Sequence, residues 1–206
     1  MKQYPSIPKI PQRGVWCYAF AKHDGSQIRV EWSAKKGYHR WGRRGGLLDD
    51  SNPVLKRAPT VWDCHPLAQP LALALKGDKI QEATLYFEFW GASSFAGNHS
   101  LDEEQTLTLF DIDVKRKGLM PPKDFCRLTF GLPGVAECLY HGPWTADIEN
   151  QVRAGTLPGM PFEGVVAKVS PDRNGEPIMW KCKSDAWIAR LKHRCGDNEA
   201  LFNQLA

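Results

Sequence analysis

Trp16-Cys17-Tyr18-Ala19-Phe20-Ala21-Lys22-His23-Asp24-Gly25-Ser26 is the stretch around which the chain is organised. Its first six residues read as a strand, and residues 22–26 end it in a turn built on Asp24 and Gly25. Taken alone, the pentapeptide reads as a surface turn. It also reads as the rim of a site in which Lys22 is a nucleophile, if later segments complete that site.

Working outward, Ile28, Val30 and Trp32 alternate with Arg29 and Glu31, the period of a half-buried strand over 28–32. A third short strand is expected around Tyr38 to Trp41, punctuated by Gly37 and Gly42. Upstream, Pro5, Pro8 and Pro11 make residues 1–13 an extended lead-in. Residues 47–66 are polar and proline-containing and read as loop. Leu67 to Leu75 reads as a helix ending near Gly77, and strands follow over 83–90 and 106–112. Pro121-Pro122 opens a helix over 123–130, proline being tolerated in a first turn. A second helix starts at Thr145 and ends near Gly155. Strands over 162–169 and 178–183 flank the turn signal Asp172-Arg173-Asn174-Gly175, and a helix and tail occupy 184–206. Many strands, a few helices and mixed order argue one α+β domain over 1–206, with antiparallel sheets flanked by helices.

The 206 residues can bury a core without disulfides or metals. With 42% hydrophobic and 24% charged residues, the chain reads as globular. The six cysteines form no Cys-x-x-Cys pair and the histidines no His-x-x-x-His pair, so neither zinc nor a histidine metal site is expected. No signal region or membrane-length apolar run occurs, so the expectation is a cytoplasmic protein with reduced thiols. Net charge is +4, and its distribution is uneven. Residues 13–57 carry Arg13, Lys22, Arg29, Lys35, Lys36, Arg40, Arg43, Arg44, Lys56 and Arg57 against Asp24, Glu31, Asp49 and Asp50. That segment reads as a solvated surface or as an attractor of phosphates and nucleic-acid backbone.

The segments that follow Lys22-x-Asp24-Gly25 are Trp41-Gly42-Arg43-Arg44, Tyr86-Phe87-Glu88-Phe89-Trp90-Gly91 and Leu109-Phe110-Asp111-Ile112. Phe162-Glu163-Gly164-Val165-Val166 and Trp180-Lys181-Cys182-Lys183-Ser184 complete the set. In this order they resemble the nucleotidyltransferase motifs of the ATP-dependent RNA ligases, within the superfamily of DNA ligases and mRNA capping enzymes. The likeness runs from about residue 15 to about residue 191. It implies the ligase adenylation fold; typical ligases append an OB or helical domain, and with only about two dozen residues after Lys183 the expectation here is the adenylation fold without one. Gln27 stands where many DNA ligases have arginine, which favours the RNA ligase branch.

The chemistry of these residues agrees. A lysine at its ordinary pKa of about 10.4 is protonated at neutral pH and cannot attack phosphorus. Neighbouring cations favour the neutral amine, and Lys181 and Lys183, two apart on a strand, share a face from which to act on Lys22. The resemblance implies that Lys22 attacks the α-phosphate of ATP to give a lysyl-AMP. AMP then passes to a 5′-phosphate end, which a 3′-hydroxyl attacks. It places Asp24, Arg44, Glu88, Phe110, Glu163, Lys181 and Lys183 around the nucleotide. Glu88 accepts from ribose hydroxyls, and Phe110 stacks on adenine unless it is simply a core residue. Arg44 contacts phosphate, a bidentate task suited to arginine. Glu163 orients the lysine or holds Mg²⁺ or Mn²⁺, a role in keeping with the cost of burying a lone carboxylate. Gly25 permits a tight turn beside the nucleotide. Arg29, Arg40 and Arg43 are candidates for gripping the backbone of the RNA, or DNA, substrate. The small size and motif set suggest a viral or repair setting. A capping-type guanylyltransferase and a noncatalytic nucleic-acid-binding domain are the alternative readings.

Overall fold

A computed structural model describes the chain apart from residues 9, 93–99, 101 and 171–177. The expected turn at 172–175 lies outside the described residues, as does most of the expected loop 91–100.

Two antiparallel sheets carry the fold. The smaller is built from β1 (Trp16–Lys22), β8 (Cys138–Pro143), β9 (Gly164–Lys168) and β10 (Met179–Lys183), in the order β10-β9-β1-β8. The larger is built from β2 (Ser26–Ser33), β3 (Gly37–Arg43), β4 (Gly46–Leu47), β5 (Glu82–Trp90), β6 (Thr106–Val114) and β7 (Gly118–Leu119). Its order is β4-β3-β2-β5-β6-β7. The turn at 23–25 carries the chain from one sheet to the other.

The period-2 pattern gives each sheet an apolar and a polar face. Cys17, Ala19, Val165, Ala167, Trp180 and Cys182 form the apolar face of the small sheet, covered by Val152 of α4 (Ala146–Ala154). Ile28, Val30, Trp32, Leu85, Phe87, Leu107 and Leu109 form that of the large sheet. It is covered by Trp62 of α1 (Ala58–Asp63), Leu71 and Leu75 of α2 (Ala68–Gly77), and Phe125 and Leu128 of α3 (Pro122–Thr129). The polar faces remain for the site.

Caps fix the helix ends. The Thr145 hydroxyl accepts from the Ile148 N–H and Gly155 closes α4 at φ 73°. The Ser184 hydroxyl accepts from the Trp187 N–H and opens α5 (Asp185–Cys195). α6 (Glu199–Leu205) packs on α5 through Leu201, Phe202 and Leu205.

Three expectations are corrected. Residues 47–66 are not simply loop: a 3-10 turn (Leu55–Arg57) and α1 bury Leu55 and Trp62, an apolar spacing too short to show periodicity. Strand β8 was not expected, because Gly142 and Pro143 break its pattern; it pairs with β1 from Trp16↔Pro143 to Phe20↔Cys138. The tail after α5 contains α6. The N-terminal lead-in is extended, as expected, but it lies against the polar faces. Lys2 pairs with Asp113 at 2.6 Å, the Tyr4 hydroxyl donates to Asp111 Oδ2 at 2.8 Å, and the Lys181 N–H donates to the Pro8 carbonyl. The last bond covers the free edge of β10. Among the described residues no helix is long and apolar enough to cross a membrane.

Candidate nucleotide-binding site

A cavity of about 510 Å³ opens between the polar faces of the two sheets. Its reactive-looking end is a single row across three strands. Lys22 of β1 and Lys183 of β10 are each register partners of Gly164 on β9, from opposite sides. Gly164 has φ 141°, and a Cβ there would strike the Cys182 carbonyl oxygen, so only glycine lets the strands approach so closely. The residue before it, Glu163, is thereby set between the two lysines. Its Oε2 accepts from Lys22 Nζ at 2.8 Å and its Oε1 lies 3.1 Å from Lys183 Nζ. Ser184 holds this corner: its N–H donates to the Glu163 carbonyl and its hydroxyl to the Phe162 carbonyl.

Glu163 is buried to 4% exposure, whereas Lys22 keeps 21%. Lys183 is also buried; it donates to the Leu205 carbonyl at 2.9 Å and lies 3.7 Å from the Trp187 ring centroid. Glu88 approaches from the large sheet, where its carboxylate receives the Gly25 N–H. Gly25 is not in a left-handed conformation. A Cβ there would collide with the Phe89 carbonyl oxygen, so the glycine serves the close passage of the turn over β5.

These contacts order the proton affinities. Burial pushes Lys22 down, but Glu163, Glu88 and Asp24 outweigh it and hold the amine above its ordinary value. Burial, seconded by Lys22 and Lys181, pushes Lys183 down to about 8 against the pull of Glu163. Glu88 is pushed up to about 7, first by burial and then by Glu163 and Asp24, with Lys22 opposing. The expectation that Lys181 and Lys183 would lower Lys22 is therefore reversed. Three carboxylates crowd Lys22, and the depressed lysine is Lys183.

The structure brings Lys22, Asp24, Arg44, Glu88, Phe110, Glu163, Lys181 and Lys183 to the lining of this one cavity. Phe110 reaches it through a bulge: Tyr86 pairs with Asp111 and Phe87 with Leu109, leaving Phe110 as the extra residue. Its ring meets Tyr4 edge-on at 5.1 Å. Arg44 is exposed at the rim, 3.5 Å from the Ser6 hydroxyl, and Arg43 lines the cavity while pairing with Asp49 at 3.6 Å.

Two expected backbone contacts are not placed for that task. Arg29 is buried at 4% exposure, donating to the carbonyls of Lys2 and Gly46. It sits on the inward face of a central strand, which a charge count cannot see. Arg40 stands away from the cavity and pairs with Glu31 at 3.8 Å.

Sequence reasoning missed Lys168, Asp111 and Tyr4. The Lys168–Asp111 pair is buried, at 2.9 Å, and Lys168 also donates to the Phe110 carbonyl at 2.6 Å. The single charged residue in the otherwise apolar run Val165 to Val169 was the available signal. His23, stacked on Trp90 at 4.6 Å, was likewise unforeseen.

Solved structures share this fold. Two forms of an archaeal ATP-dependent RNA ligase match with TM-scores of 0.67 and 0.66, each at 17% identity. They are covered over 100% and 95% of this chain and 56% and 52% of theirs. A Naegleria gruberi RNA ligase mutant, solved with AMP and Mn, matches with TM-score 0.60 and 19% identity over 94% of this chain and 58% of its own. At such identity the likeness establishes the fold: this chain has the α+β architecture of the nucleotidyltransferase domains of RNA ligases. It spans about half the length of the solved ligases it matches. No family model and no curated protein matches the chain.

Proposed function

We propose that the chain is the nucleotidyl-transferring unit of an ATP-dependent RNA ligase. The observation that carries this reading is the Lys22–Glu163–Lys183 row at the end of a cavity large enough for a nucleotide. Lys22 Nζ forms a bond to the α-phosphorus of ATP, and the bond from that phosphorus to the bridging oxygen breaks, releasing pyrophosphate. The amine must first lose a proton, and Glu163 Oε2, already hydrogen-bonded to it, is the acceptor in contact. Lys183, Lys181 and Arg44 surround the phosphates and neutralise their charge in the transition state. Glu88 receives the ribose hydroxyls, and Phe110 offers a ring to the adenine, a contact worth about 1–3 kcal/mol. AMP then passes to a 5′-phosphate end of RNA, and a 3′-hydroxyl displaces it; each step is an in-line displacement needing the same charge neutralisation.

No cluster of three metal-binding side chains exists among the described residues. A divalent ion of the Mg²⁺ or Mn²⁺ type would be held by the Glu163 carboxylate together with phosphate oxygens, the usual arrangement for nucleotide chemistry. Bound there, it would add Lewis-acid neutralisation of the phosphates.

The test is incubation with α-labelled ATP and a divalent ion, followed by a denaturing gel. Wild type should retain label and Lys22→Ala should not. Absence of label in the folded wild type overturns the reading.

A further inference from the structure

The chemistry at Lys22 leaves the cysteines unused. Cys17 and Cys182 are buried in the core of the small sheet, where burial pushes each thiol up to about 11. Such thiols pack as small apolar groups and are inert. Cys195 is buried in the contact between α5 and α6, and Cys64 stands exposed.

Cys126 and Cys138 differ from all of these. Each is half-buried, and their thiols are hydrogen-bonded to each other. They come from different layers: Cys126 from α3, which covers the large sheet, and Cys138 from the first position of β8, the edge strand of the small sheet. Packing holds them together. Cys138 is the register partner of Phe20, and the Phe20 ring meets the ring of Phe125, the residue before Cys126, edge-on at 5.7 Å. Cys138 Sγ also lies 3.5 Å from the Tyr140 carbonyl oxygen, which accepts its S–H while Cys126 keeps a proton. Once Cys126 ionises, the S–H turns to it. That hydrogen bond, seconded by the Lys168 ammonium and opposed by burial, brings Cys126 down to about 7, and Cys138 is raised in turn. The pair is thus divided into a thiolate nucleophile and a neutral thiol, the asymmetry that thiol–disulfide exchange needs.

The chain between the two cysteines walls the cavity. The Leu109 N–H donates to the Gly134 carbonyl at 2.9 Å, and the Ala136 N–H donates to the Leu109 carbonyl at 2.8 Å. Leu109 precedes Phe110, and Ala136 lines the cavity. The Ala21 N–H, next to Lys22, donates to the Glu137 carbonyl at 2.9 Å. A covalent tie between residues 126 and 138 would clamp both ends of this wall.

We propose that Cys126 and Cys138 form a reversible disulfide by exchange with a small-molecule disulfide, and that this bond weakens the hold of the cavity on ATP. The second half rests on the ligase reading. The Cys126 thiolate attacks one sulfur of the small disulfide, whose S–S bond breaks to release one thiolate. Cys138 gives up its proton and attacks the Cys126 sulfur, and the mixed S–S bond breaks to release the second. The two protein sulfurs are oxidised, and the small disulfide is reduced to two thiols. A disulfide holds its sulfurs about 2.05 Å apart, closer than any hydrogen-bonded pair. Forming it draws α3 toward β8 and displaces the segment that carries Ala136.

The experiment incubates the reduced full chain with oxidised glutathione, blocks the remaining thiols with iodoacetamide, and reads the masses of the chain and its proteolytic peptides. Wild type should lose two hydrogens, with the peptides bearing Cys126 and Cys138 joined, and dithiothreitol should restore it. Cys138→Ser should stop at a glutathione adduct on Cys126, and Cys126→Ser should leave Cys138 unmodified. Thermal unfolding midpoints confirm that each variant is folded. A wild type modified only at Cys64, or joined through any other pair, overturns the proposal. In label transfer, the KM for ATP should rise several-fold in the oxidised wild type, return on reduction, and stay put in Cys126→Ser treated alike. An unchanged KM in the fully oxidised chain overturns the link to the cavity. Reduced wild type that takes no label sinks the ligase reading instead, and the peptide masses still decide the disulfide.

Discussion

The two ends of the space between the sheets are built of the same materials, buried lysine against buried carboxylate, and differ in stoichiometry. At the N-terminal segment the pairing is closed. Lys168 meets Asp111, the Tyr4 hydroxyl takes the same Asp111 Oδ2, and Lys168 spends another proton on the Phe110 carbonyl. At the other end two lysines share one carboxylate, Glu163, beside an open cavity. A closed pair locks position. A shared carboxylate gives each amine only part of a partner beside open space, so either amine can turn to a phosphate without stranding the acid. Structural and chemical roles are thus separable by counting partners, although both ends read alike as charge in an apolar strand.

Removing the shared carboxylate should have the largest effect. Glu163→Gln leaves Lys22 and Lys183 facing each other with no anion between them and removes the proton acceptor in contact with Lys22. Label transfer from α-labelled ATP should slow about 100-fold or more, the scale of a lost general base. A rate within a few-fold of wild type would place the proton elsewhere and dissolve the distinction between the two ends.

The closed end should answer in stability. Lys168→Met strands Asp111 in a site only 3% exposed. Breaking a buried pair by removing one partner costs about 3–5 kcal/mol. The urea midpoint should fall accordingly, and Asp111→Asn in the Lys168→Met background should recover part of the loss. A change below about 1 kcal/mol would show that the pair is not structural.

pH separates the ends next. The unfolded chain binds more protons at Lys183 than the folded chain does between its lowered value of about 8 and the ordinary lysine value. Stability should therefore rise with pH across that window. Lys22 behaves oppositely: its raised value contributes stability that is lost only at still higher pH. Relative to Lys183→Met, wild type should gain on the order of 1–3 kcal/mol between about pH 8 and 10. A flat difference in urea unfolding across that range would mean that Lys183 stays charged.

Much of this was legible in the sequence, for reasons that particular residues show. Alternation exposed β2 and β5, and the turn residues exposed the passage at Asp24-Gly25. The spaced Lys22, Glu163 and Lys183 were visible because charged residues stand out at the ends of apolar strands. What stayed hidden depends on through-space partners. The inward turn of Arg29 and the three-carboxylate environment that raises Lys22 appear only once the two sheets face each other. β8 and α1 were hidden by glycine, proline and shortness. The bulge at Phe110 needed the register between Tyr86 and Asp111. The role of the first eight residues was hidden most completely, because an extended proline-containing segment has no period to read.

That segment supplies the smallest and sharpest test. Tyr4→Phe keeps the ring that meets Tyr86 and Phe110 and removes only the hydroxyl donated to Asp111. A hydrogen bond to a charged group is worth about 1.5–3 kcal/mol. The cost here should fall toward the lower figure, because Lys168 continues to hold the same carboxylate. If the N-terminal end is purely structural, the variant loses that stability while the rate of label transfer at saturating ATP is unchanged. A rise in the KM for ATP at unchanged maximal rate would mean that the Tyr4–Asp111 bond also sets the position of Phe110 against the base. The closed end would then be shaping the nucleotide pocket rather than only locking the two sheets together. A loss in the maximal rate itself would contradict the separation of the two ends, since Tyr4 directs its hydroxyl to Asp111 and Met179 and its ring to Tyr86 and Phe110.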